Sequence, residues 1–189
     1  ESWKTAGEES LTGAPATGAR QDAVDFVNNI QKKINAQMGN TLPVSAFKDY
    51  VDGSTPSGTS AYEKRGVAVD VPVWDVNKCI QCNQCSYVCP HAAIRPVAMT
   101  EAEAAAAPEG MQYKDMTGMP GYKFAITISA YDCTGCGSCV NVCPDKIQAI
   151  TMQNFEENEA EQAYFDYGVS VPDKAEVIAK FKENTVKGS

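Results

Sequence analysis

The sequence predicts a small α+β domain made from two copies of one cysteine-bearing half. Three observations predict it: two cysteine runs of one spacing, a strand-like pattern leading into each, and an apolar pair after each. The runs are CIQCNQCSYVCP at 79–90 and CTGCGSCVNVCP at 133–144, 54 positions apart, and together they hold all eight cysteines of the 189-residue chain. Ahead of the second run, 122–130 alternates: Tyr122, Phe124, Ile126, Ile128 and Ala130 fall on one side, Lys123, Thr127 and Ser129 on the other. A period of two marks a half-buried strand. Residues 67–73 read similarly ahead of the first run. Behind the runs come Ala93-Ile94 and Ala149-Ile150, the second pair two positions later in its copy. The repeat is an internal duplication with drift.

Eight thiols in this pattern require a chemistry. Disulfide frameworks belong to oxidising compartments and seldom keep so regular a spacing. A zinc ion takes four ligands in two separated pairs, not three at a tight repeat and a fourth before proline. Buried structural thiols have no reason to repeat in register. Cys-x-x-Cys-x-x-Cys-x-x-x-Cys-Pro is instead the bacterial 4Fe-4S ligand run, whose fourth cysteine ligates the other cluster in two-cluster proteins. Three cysteines so spaced let a tight loop wrap one cubane with its N–H groups aimed at sulfur. A short helical turn then carries the fourth thiol toward the second cube, and proline ends the turn because it cannot extend it. Cys79, Cys82, Cys85 and Cys143 are therefore expected to hold one cluster. Cys133, Cys136, Cys139 and Cys89 are expected to hold the other.

The two loops are not copies in every position. Gly135 and Gly137 flank Cys136, whereas Gln81 and Asn83 take those places around Cys82. Glycine lets backbone approach a cluster closely, and hydrogen bonds to sulfur together with solvent exposure set the potential. The two clusters are thus expected to differ in potential. His91, the only histidine, reads as a surface or neighbouring group, since no second catalytic group accompanies it. Tyr87 and Tyr131 read as shields against water. Lys78 and Asp132, equivalent positions of opposite charge, read as exposed residues or as a further source of unequal potentials.

Around the repeat the chain predicts extensions. Ala23, Val27, Ile30 and Ile34 form one helical stripe, with Asp22 before and Gly39 after. Residues 51–60 are loop by composition. Between Cys89 and Cys133 lie 43 residues, 90–132, more than a tight connection needs. There Thr100 and Glu103 form a capping box, 101–107 suits a short helix, and Pro108 with Gly110 ends it. The next stretch, EGMQYKDMTGMPG, is expected to cover the clusters rather than to form a methionine-rich partner surface. Downstream, 156–161 is an acidic solvated face, and Asp173 and Glu176 open a helix through Val177, Ile178 and Phe181. The expected organisation is an N-terminal arm with one helix at 1–66, a dicluster domain at 67–152 with an insertion at about 97–121, and a tail or linker at 153–189.

A net charge of −8 argues against nucleic acid or anionic lipid as partner, since either needs a basic face. No apolar stretch approaches 18 residues and no basic start precedes an apolar run, so no membrane span and no signal peptide are expected, and the location expected is cytoplasmic. The first residue is Glu1, and the sequence reads as a piece of a longer polypeptide.

The stretch LPVSAFKDYVDGSTPSGTSAYEKRGVAVDVPVWDVNKCIQCNQCSYVCPHAAIRP resembles the two-cluster, ferredoxin-type segment of the pyruvate:ferredoxin (flavodoxin) oxidoreductases, large 2-oxoacid oxidoreductases of anaerobes. The likeness is most specific over 42–150. It implies a ferredoxin-like α+β fold with two 4Fe-4S-binding halves related by a pseudo-twofold axis. It also implies a homodimeric parent enzyme that converts pyruvate and coenzyme A on thiamine diphosphate with magnesium. Electrons would pass through a third, proximal 4Fe-4S cluster, then the two clusters here, to an external ferredoxin or flavodoxin. Neither a thiamine-diphosphate motif nor cysteines for the proximal cluster occur in this chain, so no catalytic residue is expected in it. The readings set beside this one are a stand-alone dicluster ferredoxin, a subunit of another oxidoreductase, and a structural zinc or disulfide protein.

Overall fold

In the computed structural model residues 16, 18, 20–181 and 186 are described. The chain divides into two compact units, Glu1–Lys64 and Arg65–Ser189.

The first unit carries one helical stretch: α1 (Gln21–Phe26), a π-helical turn (Val27–Gln31) and α2 (Lys32–Asn35). Ala23, Val24, Val27 and Ile30 are buried, but Ile34 is 48% exposed, contrary to the stripe read from the sequence. The π turn is the reason, because i→i+5 bonding puts an extra residue into the turn and rotates the next residues off the buried face. The stretch ends at Gln37, which adopts a φ of 61°, two residues before the expected Gly39. The Asn28 amide bonds the backbone of Ala16 in both directions, at 2.7 and 2.9 Å. Phe26 packs edge-on against Tyr50 at 5.0 Å.

The second unit is α+β, with two small antiparallel sheets. Strand β1 (Asp70–Trp74) leads into the first cysteine run, α3 (Gln84–Tyr87) lies within it, and β2 (Ile94–Thr100) comes after. The second copy repeats this order with β4 (Tyr122–Ile128), α5 (Ser138–Val142) and β5 (Ile150–Asn154). Between the copies stand α4 (Glu101–Ala105) and a two-residue strand, β3 (Lys114–Asp115). The pairing crosses between copies: β1 pairs with β5 (Trp74 opposite Ile150), and β2 with β4 (Ile94 opposite Ile128). Pro72 and Pro96 are tolerated because β1 and β2 are both edge strands.

The strand expected at 67–73 begins at Asp70, and the one expected at 122–130 ends at Ile128. The second is not half-buried. Residues 124–130 are buried without alternation, Thr127 and Ser129 at 0% exposure. The cause is α6 (Glu161–Ser170), a helix that the sequence pattern does not announce, which packs across β2 and β4. It comes so close at Gly168 that a Cβ there would stand 2.9 Å from both Thr127 and Val97 side chains, a clash that only glycine avoids. The buried hydroxyls are satisfied locally, Thr127 donating to the Arg95 carbonyl and Ser129 to Asp132 Oδ2. A last helix, α7 (Ala175–Lys180), buries Val177.

The capping box is present as read: the Glu103 N–H donates to the Thr100 hydroxyl, and the Thr100 N–H donates to the Glu103 carboxylate. Lys174 joins the same carboxylate at 2.9 Å, and the Tyr167 hydroxyl donates to the Glu103 carbonyl. Met111 is buried and Met116 packs on the core, so these two methionines of the connecting segment face inward.

Candidate metal centres

Each run is shaped by the same backbone devices. An N–H three residues ahead of the loop's middle cysteine bonds back four positions, Cys79 to the Asp75 carbonyl and Cys133 to the Ser129 carbonyl. Gln81 and Gly135 then donate N–H bonds to the sulfurs of Cys79 and Cys133, both at 3.3 Å. Past the helical turns, Ala93 and Ala149 donate to the sulfurs of Cys89 and Cys143, again at 3.3 Å. The turns themselves require left-handed backbone at Gln81, Asn83, Gly135 and Gly137, with φ between 59° and 73°. Alternating handedness of this kind points successive N–H groups into one concavity, which favours negative charge.

The eight thiols line two cavities. Cys79, Cys82, Cys85 and Cys143 line one of about 360 Å³, open space included. Cys89, Cys133, Cys136 and Cys139 line a second of about 350 Å³. Each cavity therefore draws three thiols from one run and the fourth from the other, and the two are matched in size. Among the described residues no three of His, Cys, Asp or Glu gather tightly enough to hold a single metal ion. The thiols surround a void instead of converging on a point.

Burial sets the protonation of these thiols. Cys85 is pushed up to about 12, first by burial and then by the neighbouring Cys79. Cys139 is pushed up to about 11, also by burial first. Cys133 rises for the same reason, partly offset by the Gly135 N–H. Exposed Cys136 goes the other way, because the Ser138 hydroxyl 3.5 Å from it favours the thiolate. Four thiolates crowded into an apolar wall are costly unless a cation compensates them, and ligation by iron removes the protons and supplies that charge. The donor sets fit 4Fe-4S groups.

Several neighbours were legible only here. Gln81 is 3% exposed, and its amide donates to the Asp115 carbonyl at 2.7 Å while accepting from the Thr117 N–H at 2.8 Å. The Lys114 ammonium donates to the carbonyls of Val76 and Cys79 at 2.9 and 3.0 Å. The connecting segment thus covers the first loop. A long polar residue at a left-handed position, where the other loop has glycine, was the available signal. Among the described residues, the buried side-chain polar atoms without a partner are Trp74 Nε1 and Asn83 Oδ1, and both residues line the first cavity.

The aromatic shields expected at Tyr87 and Tyr131 lie elsewhere. Tyr87 is 67% exposed, and Tyr131 packs on Phe155 and bonds Glu159, so neither lines a cavity. His91 is exposed and lies at the rim of the second cavity. Lys78 pairs with Asp75 at 3.4 Å, and Asp132 holds Ser129.

Residues 78–147 match the model of the 4Fe-4S dicluster domain, and 14–68 match a domain of unknown function. Among curated relatives, a pyruvate-flavodoxin oxidoreductase of Enterobacter agglomerans is 49% identical over 164 residues, 87% of this chain and 14% of that protein. A pyruvate:ferredoxin oxidoreductase of Moorella thermoacetica is 49% identical over 168 residues, with the same two coverages. A pyruvate dehydrogenase [NADP(+)] of Cryptosporidium parvum is 46% identical over 172 residues, 89% of this chain and 8% of that protein. The chain spans about one seventh of the length of the first two.

Proposed function

We propose that this chain, whose residues 78–147 match the 4Fe-4S dicluster domain, is the electron-transfer segment of a larger pyruvate oxidoreductase. A 4Fe-4S group takes up and releases one electron at its iron. What the chain contributes is ligation, insulation and charge compensation. Cys79, Cys82, Cys85 and Cys143 hold one group and Cys133, Cys136, Cys139 and Cys89 the other. The carrying observation is the crossed membership of the two cavities, each lined by three thiols of one run and one of the other. Sharing ligands in this way ties the halves together and keeps the two centres near enough for electrons to pass.

The N–H groups of Gln81, Ala93, Gly135 and Ala149 stabilise negative charge on the cysteine sulfurs. The halves are related by a pseudo-twofold axis, a reading supported by the crossed pairing of β1 with β5 and β2 with β4. In the parent enzyme 1–66 forms an arm, 67–152 the dicluster domain and 153–189 the link toward the catalytic domain. That domain supplies thiamine diphosphate, magnesium and a proximal cluster, and the parent is a cytoplasmic homodimer that hands electrons to an external ferredoxin or flavodoxin. No described helix is long and apolar enough to cross a membrane.

The test is metal analysis and redox titration of the anaerobically prepared chain, followed by electron paramagnetic resonance. About eight iron and eight acid-labile sulfide per chain are expected from two cubane groups. Cys79→Ser and Cys143→Ser should then abolish one and the same resonance signal, and Cys133→Ser and Cys89→Ser the other. If Cys143→Ser instead removes the signal lost in Cys133→Ser, the shared ligation is wrong.

A further inference from the structure

We infer that the indole N–H of Trp74 is a hydrogen-bond donor to the cluster in the first cavity, and so sets that cluster's potential apart from its neighbour's. The inference rests on the cluster assignment proposed above. Trp74 is 7% exposed and held rigidly: it is the last residue of β1, faces Ile150 across the ladder and packs edge-on against Phe124 at 6.2 Å. A buried indole N–H ordinarily finds a partner, yet no protein atom accepts from this one. Trp74 is one of the residues that line the cavity that Cys79, Cys82, Cys85 and Cys143 surround. Within that wall the acceptors still to come are the sulfurs of the bound group.

The second half of the molecule is the internal control. At the position equivalent to Trp74 it has Ile128, which has no donor, and at the position equivalent to Asn83 it has Gly137. Asn83, whose Oδ1 is the other partnerless buried atom, is among the residues that line the same cavity. Both unsatisfied polar groups therefore stand at the first site, where the duplicated half carries apolar or absent side chains. An N–H donated to sulfur stabilises the more negative, reduced cluster and raises its potential.

The experiment uses the full chain carrying both clusters, with tryptophan 15N-labelled on the indole nitrogen. Pulsed electron paramagnetic resonance on the signal lost in Cys79→Ser should show coupling to the 15N nucleus and to a proton that exchanges in deuterium oxide. The signal lost in Cys133→Ser should show neither. In Trp74→Phe, which keeps an aromatic ring but no donor, the first midpoint should fall and the second stay in place. Clusters present without either coupling overturn the inference while leaving the cluster assignment standing, as does a Trp74→Phe variant whose two midpoints move together or not at all. A wild-type sample without iron overturns both at once. Should Trp74→Phe fail to hold its first cluster, the labelling result on the wild-type chain decides by itself.

Discussion

Around Cys79, Cys82 and Cys85, four hydrogen bonds join the loop to residues 114–117: two from the Lys114 ammonium and two through the Gln81 amide. Around Cys133, Cys136 and Cys139 the counterpart of Gln81 is Gly135, and the loop is held at its entry, where the Tyr131 N–H donates to Gln162. Gly135 has no choice of residue: its φ is 71° and a Cβ would stand 3.2 Å from the Asp70 carbonyl oxygen. Gln81 reaches the same left-handed backbone with room for a side chain, and that side chain forms the strap. Cys136 is exposed, while no cysteine of the first loop is. One ligand spacing thus supports two different surroundings. Ligand geometry and the layer around it are separable parts of such a site.

Removing iron is the strongest way to probe that difference. With a chelator both loops should lose most of their order, because ligation supplies folding energy that a core of this size lacks. Hydrogen exchange should show 133–139 losing protection before 79–85, since the strap at 114–117 needs no metal. The reverse order breaks the comparison.

A smaller effect is expected from Gln81→Gly, which makes the first loop match the second. The substitution suits a φ of 59° but removes the bonds to the Asp115 carbonyl and the Thr117 N–H; both residues are exposed, so the loss is the net value of a hydrogen bond, about 0.5–1.5 kcal/mol each. A denaturant titration would read that cost. In a redox titration the first midpoint should move and the second should not; equal movement in both would mean that the strap acts on the whole unit.

The smallest effect lies at the base of the connecting segment. The Glu103 carboxyl is held below its ordinary range, chiefly by the bond from Lys174 and then by the Thr100 N–H. A depressed carboxyl stabilises the fold above its unfolded-state value, and that contribution disappears as pH falls through the lower folded-state value. Stability measured from neutral pH down through the carboxylate range should therefore decline less steeply in Glu103→Gln than in the native chain. Thr100→Ala, which removes the cap, should cost about 0.5–2 kcal/mol at neutral pH. Exchange rates in 79–85 should respond to either change more than those in 133–139.

Local features were well legible. The cysteine spacing, the strand leading into each run and the capping box at Thr100 and Glu103 all rest on residues within a turn or two of one another. Features decided by packing were not. Ile34 falls on the expected buried stripe because nothing in 27–31 announces a π turn. Thr127 and Ser129 read as solvent-facing because their alternation with Ile126 and Ile128 is that of a one-sided strand; the helix Glu161–Ser170 covering them lies more than thirty positions away. Its acidic approach at 156–161 reads as solvated surface, and Gly168 reads as a helix weakener until the side chains beneath it are known. Trp74 passes as a strand residue because an indole shows a missing partner only once its surroundings are fixed.

By itself, then, the sequence determined the kind of site: eight soft sulfur ligands in two loops whose bends demand left-handed backbone, all set by short-range chemistry. The folded chain decided the rest. It laid one helix over the central strand and strapped one loop but not its twin. These outcomes depend on which distant segments share a wall, because burial and hydrogen-bond satisfaction belong to neighbours in space, and neighbours in space are fixed by the strand pairing of Trp74 with Ile150 and Ile94 with Ile128.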